Sequence, residues 1–156
     1  MSLRFEYLID CPIHCKRVIH WWNEEWASHL GPDLKKAEQE LRRSLSKSEL
    51  PIHLLAFEND VPAGTAALKL QELDEQYPQY HYWLGSVFVA TEFRGSKIAS
   101  QLTNQVIHLA KSMALPHLYL QTSNLTGGLY AKLGWEPVEQ FSHDGEENLL
   151  MLKTLS

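Results

Sequence analysis

Cysteine is scarce in this chain of 156 residues: only Cys11 and Cys15 occur. Two thiols cannot build a disulfide framework, and such usage points to a reducing, cytoplasmic setting. The run Cys11-Pro12-Ile13-His14-Cys15, with His20 beyond it, offers soft ligands, but its spacing fits no standard zinc pattern and a structural site takes four. The expectation is therefore no metal, with Pro12 marking a helix start. A run of about 18 apolar residues is also lacking, which excludes a membrane-spanning helix. Arg4, Glu6 and Asp10 interrupt the first residues too early for a secretion signal. Basic charge is sparse as well. Net charge is −5, and no Lys/Arg cluster exceeds the pairs Lys35-Lys36 and Arg42-Arg43, so a nucleic-acid-binding face is disfavoured. Internal repeats and low-complexity segments are missing, and so is the G-x-x-x-x-G-K-[ST] spacing of a nucleotide P-loop.

What remains is a chain of 44% hydrophobic and 21% charged residues, the composition of one globular domain over 1–156. Its mild acidity suits cationic partners such as amines, though only weakly. Arg4 to Ile9 alternates as a strand does. Cys15, Ile19, Trp22, Trp26 and Leu30 then form one helical stripe that Gly31-Pro32 ends. Asp33 caps a second helix with Leu34, Ala37, Leu41 and Leu45 on its apolar face. Ile52 to Phe57 and Val61 to Leu70 read as a hairpin around Glu58-Asn59-Asp60. A polar loop, Gln71 to Gln79, leads to a strand from His81 to Val89. Ile98, Leu102, Val106, Leu109 and Met113 give a helix closed by Pro116. A short strand His117 to Gln121, a short helix Leu125 to Leu133 capped by Gly134, and strands Trp135 to Phe141 and Asn148 to Leu152 complete the chain. The sum is a mixed α/β domain with about seven strands and about four flanking helices.

The stretch Val87-Phe88-Val89-Ala90-Thr91-Glu92-Phe93-Arg94-Gly95-Ser96-Lys97-Ile98-Ala99 carries the chemistry. A strand feeding into a helix leaves backbone N–H groups unpaired at one point. With the helix dipole these favour an anion, phosphate above all. Gly95 permits close approach of the backbone, and Arg94 adds a cation.

This stretch, followed by TSNLTGGLYAKLGWEP, resembles the GNAT superfamily of N-acetyltransferases. The family pattern is a strand ending V-x-V, then R/Q-x-x-G-x-G/A opening a helix, then an Asn after the next strand, then L-Y-x-x-L-G-F/W. The resemblance covers nearly the whole chain and implies a central twisted, mostly antiparallel sheet. It implies acetyl-CoA as cosubstrate and an amine-bearing acceptor, either a small molecule or a protein N-terminus or lysine, attacked directly in a ternary complex. It puts the thioester carbonyl on backbone N–H groups of Val87, Phe88 and Val89, and the diphosphate on Arg94, Gly95, Ser96, Lys97, Ile98 and Ala99. Asn124 would orient the pantetheine arm or act as a plain helix cap. Tyr130 would donate to the departing thiolate.

Three departures stand out. Lys97 replaces the motif's middle Gly, which is compatible if its φ stays helical. Its ammonium could assist the phosphates, point into water, or mark weakened CoA binding. Asn124 precedes Tyr130 by six residues where many members have seven. Gln121 stands where some relatives carry a glutamate base. The base is therefore sought among His81, Glu92, Glu24 and Glu25, with His81 preferred for its titration range. Trp21 with Glu24 and Glu25 lies off the core stripe and reads either as a solvated face or as a receptor for a cationic amine. Two other functions remain open, a non-catalytic CoA-binding regulatory module and a purely structural domain. Oligomeric state is open too, a homodimer among the options.

Overall fold

The structure, a computed structural model, describes residues 2–155, the side chains of Ser28 and His29 excepted. Seven strands form one open sheet in the order β1-β2-β3-β4-β5-β7-β6. They are β1 (Leu3–Tyr7), β2 (Ile52–Glu58), β3 (Val61–Lys69), β4 (Trp83–Val89), β5 (His117–Thr122), β6 (Glu136–His143) and β7 (Glu146–Thr154). The β1–β2, β5–β7 and β6–β7 pairs are antiparallel, while β4 runs parallel to β5 with Trp83 opposite Tyr119. Among the described residues four α-helices accompany them: α1 (Cys15–Leu30), α2 (Leu34–Ser44), α3 (Ile98–Ser112) and α4 (Gly128–Lys132). This is the mixed α/β class that the periodicities predict.

The residues pack as two compact units, one running to Ala67 and including Ser86–Leu102, the other comprising Leu68–Gly85 and the described residues from Thr103 onward. In the first unit every residue of β2 is buried, because apolar side chains occupy both of its faces. Asn59 and Asp60, with φ of 50° and 68°, form the two-residue left-handed turn into β3. The Asp33 carboxylate caps α2 by accepting from the Lys36 N–H at 3.1 Å.

Along α1 the buried face is wider than a single stripe. Cys15, Val18, Ile19, Trp21 and Trp22 are all buried with Leu55, Phe57 and Phe88. At Trp26 the helix breaks (φ −133°, ψ 44°), so Trp26 and Leu30 pack only partly against that core. Trp21, expected on a polar face, is 7% exposed and stacks on Phe88 with centroids 5.6 Å apart. Neither reading of Trp21, exposed face or amine receptor, holds: its ring is spent on packing.

In the second unit Gln71 organises the polar loop. Its side-chain oxygen accepts from the N–H groups of Glu72 and Leu73, and its amide donates to the Tyr77 carbonyl at 3.1 Å. Tyr80 lies stacked between Tyr77 and Tyr119, at 5.4 and 4.5 Å. The Tyr77 hydroxyl donates to Glu139 at 2.7 Å, and burial is the main reason its pKa lies far above the usual range for a phenol. Several boundaries move from expectation. β1 stops at Tyr7 because Leu8–Asp10 winds into a 3₁₀ turn. β4 begins at Trp83, not His81, because Tyr82 takes φ 77°. The predicted helix from Leu125 shrinks to Gly128–Lys132 because Gly127 and Gly128 are both left-handed (φ 83° and 49°). β6 and β7 lengthen into a hairpin turning at Asp144-Gly145, both with positive φ.

Candidate active site

In the first unit the site begins where β4 loses regularity. Ser86 has φ 52°, a conformation that L-residues avoid at a cost of about 1–3 kcal/mol. A buried relay holds it there. The Trp22 indole N–H donates to the Thr65 hydroxyl at 3.0 Å, and that hydroxyl donates to the Ser86 carbonyl at 2.8 Å. An irregularity of this kind changes a strand's local course, and Val87, Phe88 and Val89 follow directly after it. Gly64 on β3 is also required, since a Cβ there would stand 2.5 Å from the Phe88 carbonyl oxygen. Sequence reasoning missed Ser86, Thr65 and Trp22 as site-shaping residues. The one available signal was Gly85-Ser86 inside a strand.

After β4 the Ala90 N–H donates to the Ala63 carbonyl at 2.8 Å, and Thr91–Phe93 makes one 3₁₀ turn. Arg94 then runs extended (φ −67°, ψ 148°). Gly95 and Lys97 are both left-handed, at φ 85° and 67°. A helical φ, the condition for a non-glycine residue to suit this position, is therefore not met at Lys97. The position needs the conformation glycine provides, and a lysine supplies it under strain. Left-handed residues alternating with right-handed ones can turn successive N–H groups toward one side, the backbone pattern of an anion-binding nest. The first turn of α3, beginning at Ile98 and Ala99, adds further N–H groups and the positive end of its dipole. A Cβ at Gly95 would meet nothing within 4 Å, so only φ constrains that residue. The Ser96 hydroxyl is turned inward and donates to the Phe93 carbonyl.

Arg94 is held from three sides. Its Nε donates to the Val89 carbonyl at 2.9 Å, its Nη2 to Glu25 at 3.0 Å, and its guanidinium sits 5.5 Å from the centre of the Phe88 ring. Glu25 is thus an ion-pair partner of the turn. Glu24 and Glu92 are exposed.

In the second unit Asn124 builds the turn between β5 and α4. Its side-chain oxygen accepts from the Thr126 N–H and hydroxyl at 3.0 and 2.6 Å, and its carbonyl accepts from the Gly127 N–H at 2.9 Å. A Cβ at Gly128 would lie 2.5 Å from the Asn124 amide nitrogen, and one at Gly127 would lie 2.8 Å from Met151. Both glycines are thus explained by the turn. Two residues on, the Tyr130 ring meets Trp135 edge to face at 6.2 Å. Burial pushes the Tyr130 phenol up to about 12. On β5, Leu118 and Leu120 are buried, which leaves Gln121 half-buried on the opposite face. His81 is exposed and precedes β4, its carbonyl facing the His117 ring nitrogen at 3.2 Å. Burial raises the Cys11 thiol to about 11. Among the described residues no group of three His, Cys, Asp or Glu is placed to hold a metal, and no described helix is long and apolar enough to cross a membrane.

The model of the acetyltransferase (GNAT) family matches residues 16–135. The fold is shared with solved structures at low identity. One is an aminoglycoside 6'-N-acetyltransferase complexed with coenzyme A (TM-score 0.75, 17% identity, 100% of this chain and 98% of that one). Another is a putative acetyltransferase from Salmonella typhimurium with its cofactor acetyl-CoA (0.77, 14%, 100% and 95%). A third is a ribosomal-protein-alanine N-acetyltransferase from Brucella melitensis (0.76, 18%, 99% and 100%). No curated protein matches the sequence. The chain belongs to the acetyltransferase (GNAT) family. It is an acyltransferase.

Proposed function

We propose that the protein moves acetyl from acetyl-CoA to a primary amine by direct attack in a ternary complex. The observation that carries this reading is the pair of left-handed residues, Gly95 and Lys97, opening α3 directly after an irregular β4. In this reading the N–H groups of Gly95, Ser96, Lys97, Ile98 and Ala99 take the diphosphate, and Arg94 supports the turn from outside. The N–H groups of Val87, Phe88 and Val89 polarise the thioester carbonyl. Asn124 keeps only its amide N–H groups for the pantetheine arm, because its oxygen already accepts two hydrogen bonds.

The amine nitrogen attacks the carbonyl carbon, and the C–S bond breaks as the sulfur takes up a proton. A thiol titrates near 8.5, far below Tyr130 at about 12. Full transfer from the phenol would run uphill by more than three orders of magnitude. Tyr130 therefore stabilises the developing thiolate as a hydrogen-bond donor, and the ammonium formed in the attack supplies the proton. His81 is the proposed acceptor for the amine's first proton, through a relay of waters.

The test is thiol release from acetyl-CoA across a panel of alkylamines and peptide N-termini. We expect release with at least one acceptor. Tyr130→Phe is expected to lower kcat by 10- to 100-fold, with CoA affinity within twofold of wild type. Absence of release with every amine would contradict the reading.

A further inference from the structure

We propose that Glu25 is a built-in counter-charge that weakens the protein's hold on the diphosphate of acetyl-CoA and CoA alike. The inference rests on the reading that the Gly95–Ala99 turn takes this diphosphate. Glu25 pairs with Arg94 at 3.0 Å, both side chains being close to half exposed. A partner for positioning is not what Arg94 lacks: the Val89 carbonyl and the Phe88 ring already hold it. An exposed pair of this kind adds little to stability. Its effect on a nearby dianion is another matter, because a carboxylate repels what the guanidinium attracts.

Neighbouring side chains fix the stretch of α1 that carries Glu25. Trp21 stacks on Phe88 at 5.6 Å, and Trp26 meets the same ring edge on at 6.2 Å. Glu25 therefore sits between two residues of α1 anchored to the strand that leads into the turn. Around the turn Arg94 and Lys97 contribute two positive charges, and Glu25 and Glu92 two negative ones, so the local sum is zero. An anion site with no net charge binds through directed N–H groups, and product CoA leaves it faster than it would leave a cationic one.

Calorimetric titration of CoA into wild type, Glu25→Gln and Glu25→Lys tests this at about 50 mM and about 500 mM salt. Affinity is expected to rise about 3- to 10-fold in Glu25→Gln and further in Glu25→Lys. The gain shrinks at high salt, which a packing defect would not reproduce. Equal or weaker binding by Glu25→Gln, with wild type binding normally, overturns the inference and leaves the acetyl-CoA reading intact. No binding by wild type sinks that reading itself.

Discussion

At Lys97 the backbone takes φ 67° with a side chain attached. The left-handed region costs an L-residue about 1–2 kcal/mol, and glycine's extra freedom in the unfolded chain returns about half of that. Lys97→Gly is thus expected to stabilise the fold by about 0.5–1 kcal/mol, read from the urea midpoint at constant slope. An unchanged or lower midpoint would show that the lysine side chain makes up for its own strain. Tyr130 is a different case. Its phenol, ordinarily near 10, titrates about two decades higher once buried. It stays protonated at every working pH, and any limb seen below pH 9 in the rate profile belongs to another group. The unfolded chain loses this proton first, so the stability it gives falls as pH climbs from about 10 to about 12.

The strand β4 and the helix α1 show how an element acquires its site. The Thr65 hydroxyl holds the carbonyl of Ser86, the left-handed residue within β4, and Thr65 is itself fixed by Trp22 on α1. Thr65 is 1% exposed. Thr65→Val keeps its volume but strands a buried indole N–H and releases Ser86. The expected loss is about 1–3 kcal/mol, with the acetyl-transfer rate falling as well. A variant of wild-type stability would mean that Ser86 holds its conformation unaided. This element also marks the limit of what the sequence could tell. The α3 stripe was legible because Ile98, Leu102 and Val106 face one way at helical spacing, and all three are buried. The Trp22–Thr65 link spans 43 positions and the Glu25–Arg94 pair 69, so neither leaves a local pattern. Trp21 was misread for the same reason: the residue that buries it, Phe88, lies on a strand far along the chain. Gly127 and Gly128 fall inside the helix predicted over Leu125 to Leu133, and what requires them, the Asn124 side chain and Met151, lies outside any local pattern.

For the molecule as a whole, element order and period were enough to predict a mixed α/β fold, and two spaced motifs predicted the family that residues 16–135 match. No motif in the sequence names the acceptor, because binding specificity resides in loops whose shapes a sequence does not give. The cofactor end is the part that physical chemistry specifies, and it is where the account can fail cleanly. A crystal structure of the protein with CoA is the most direct measurement. The diphosphate oxygens should lie within about 3.2 Å of N–H groups in the segment Gly95–Ala99. A diphosphate bound elsewhere, with those N–H groups facing only water, would contradict it.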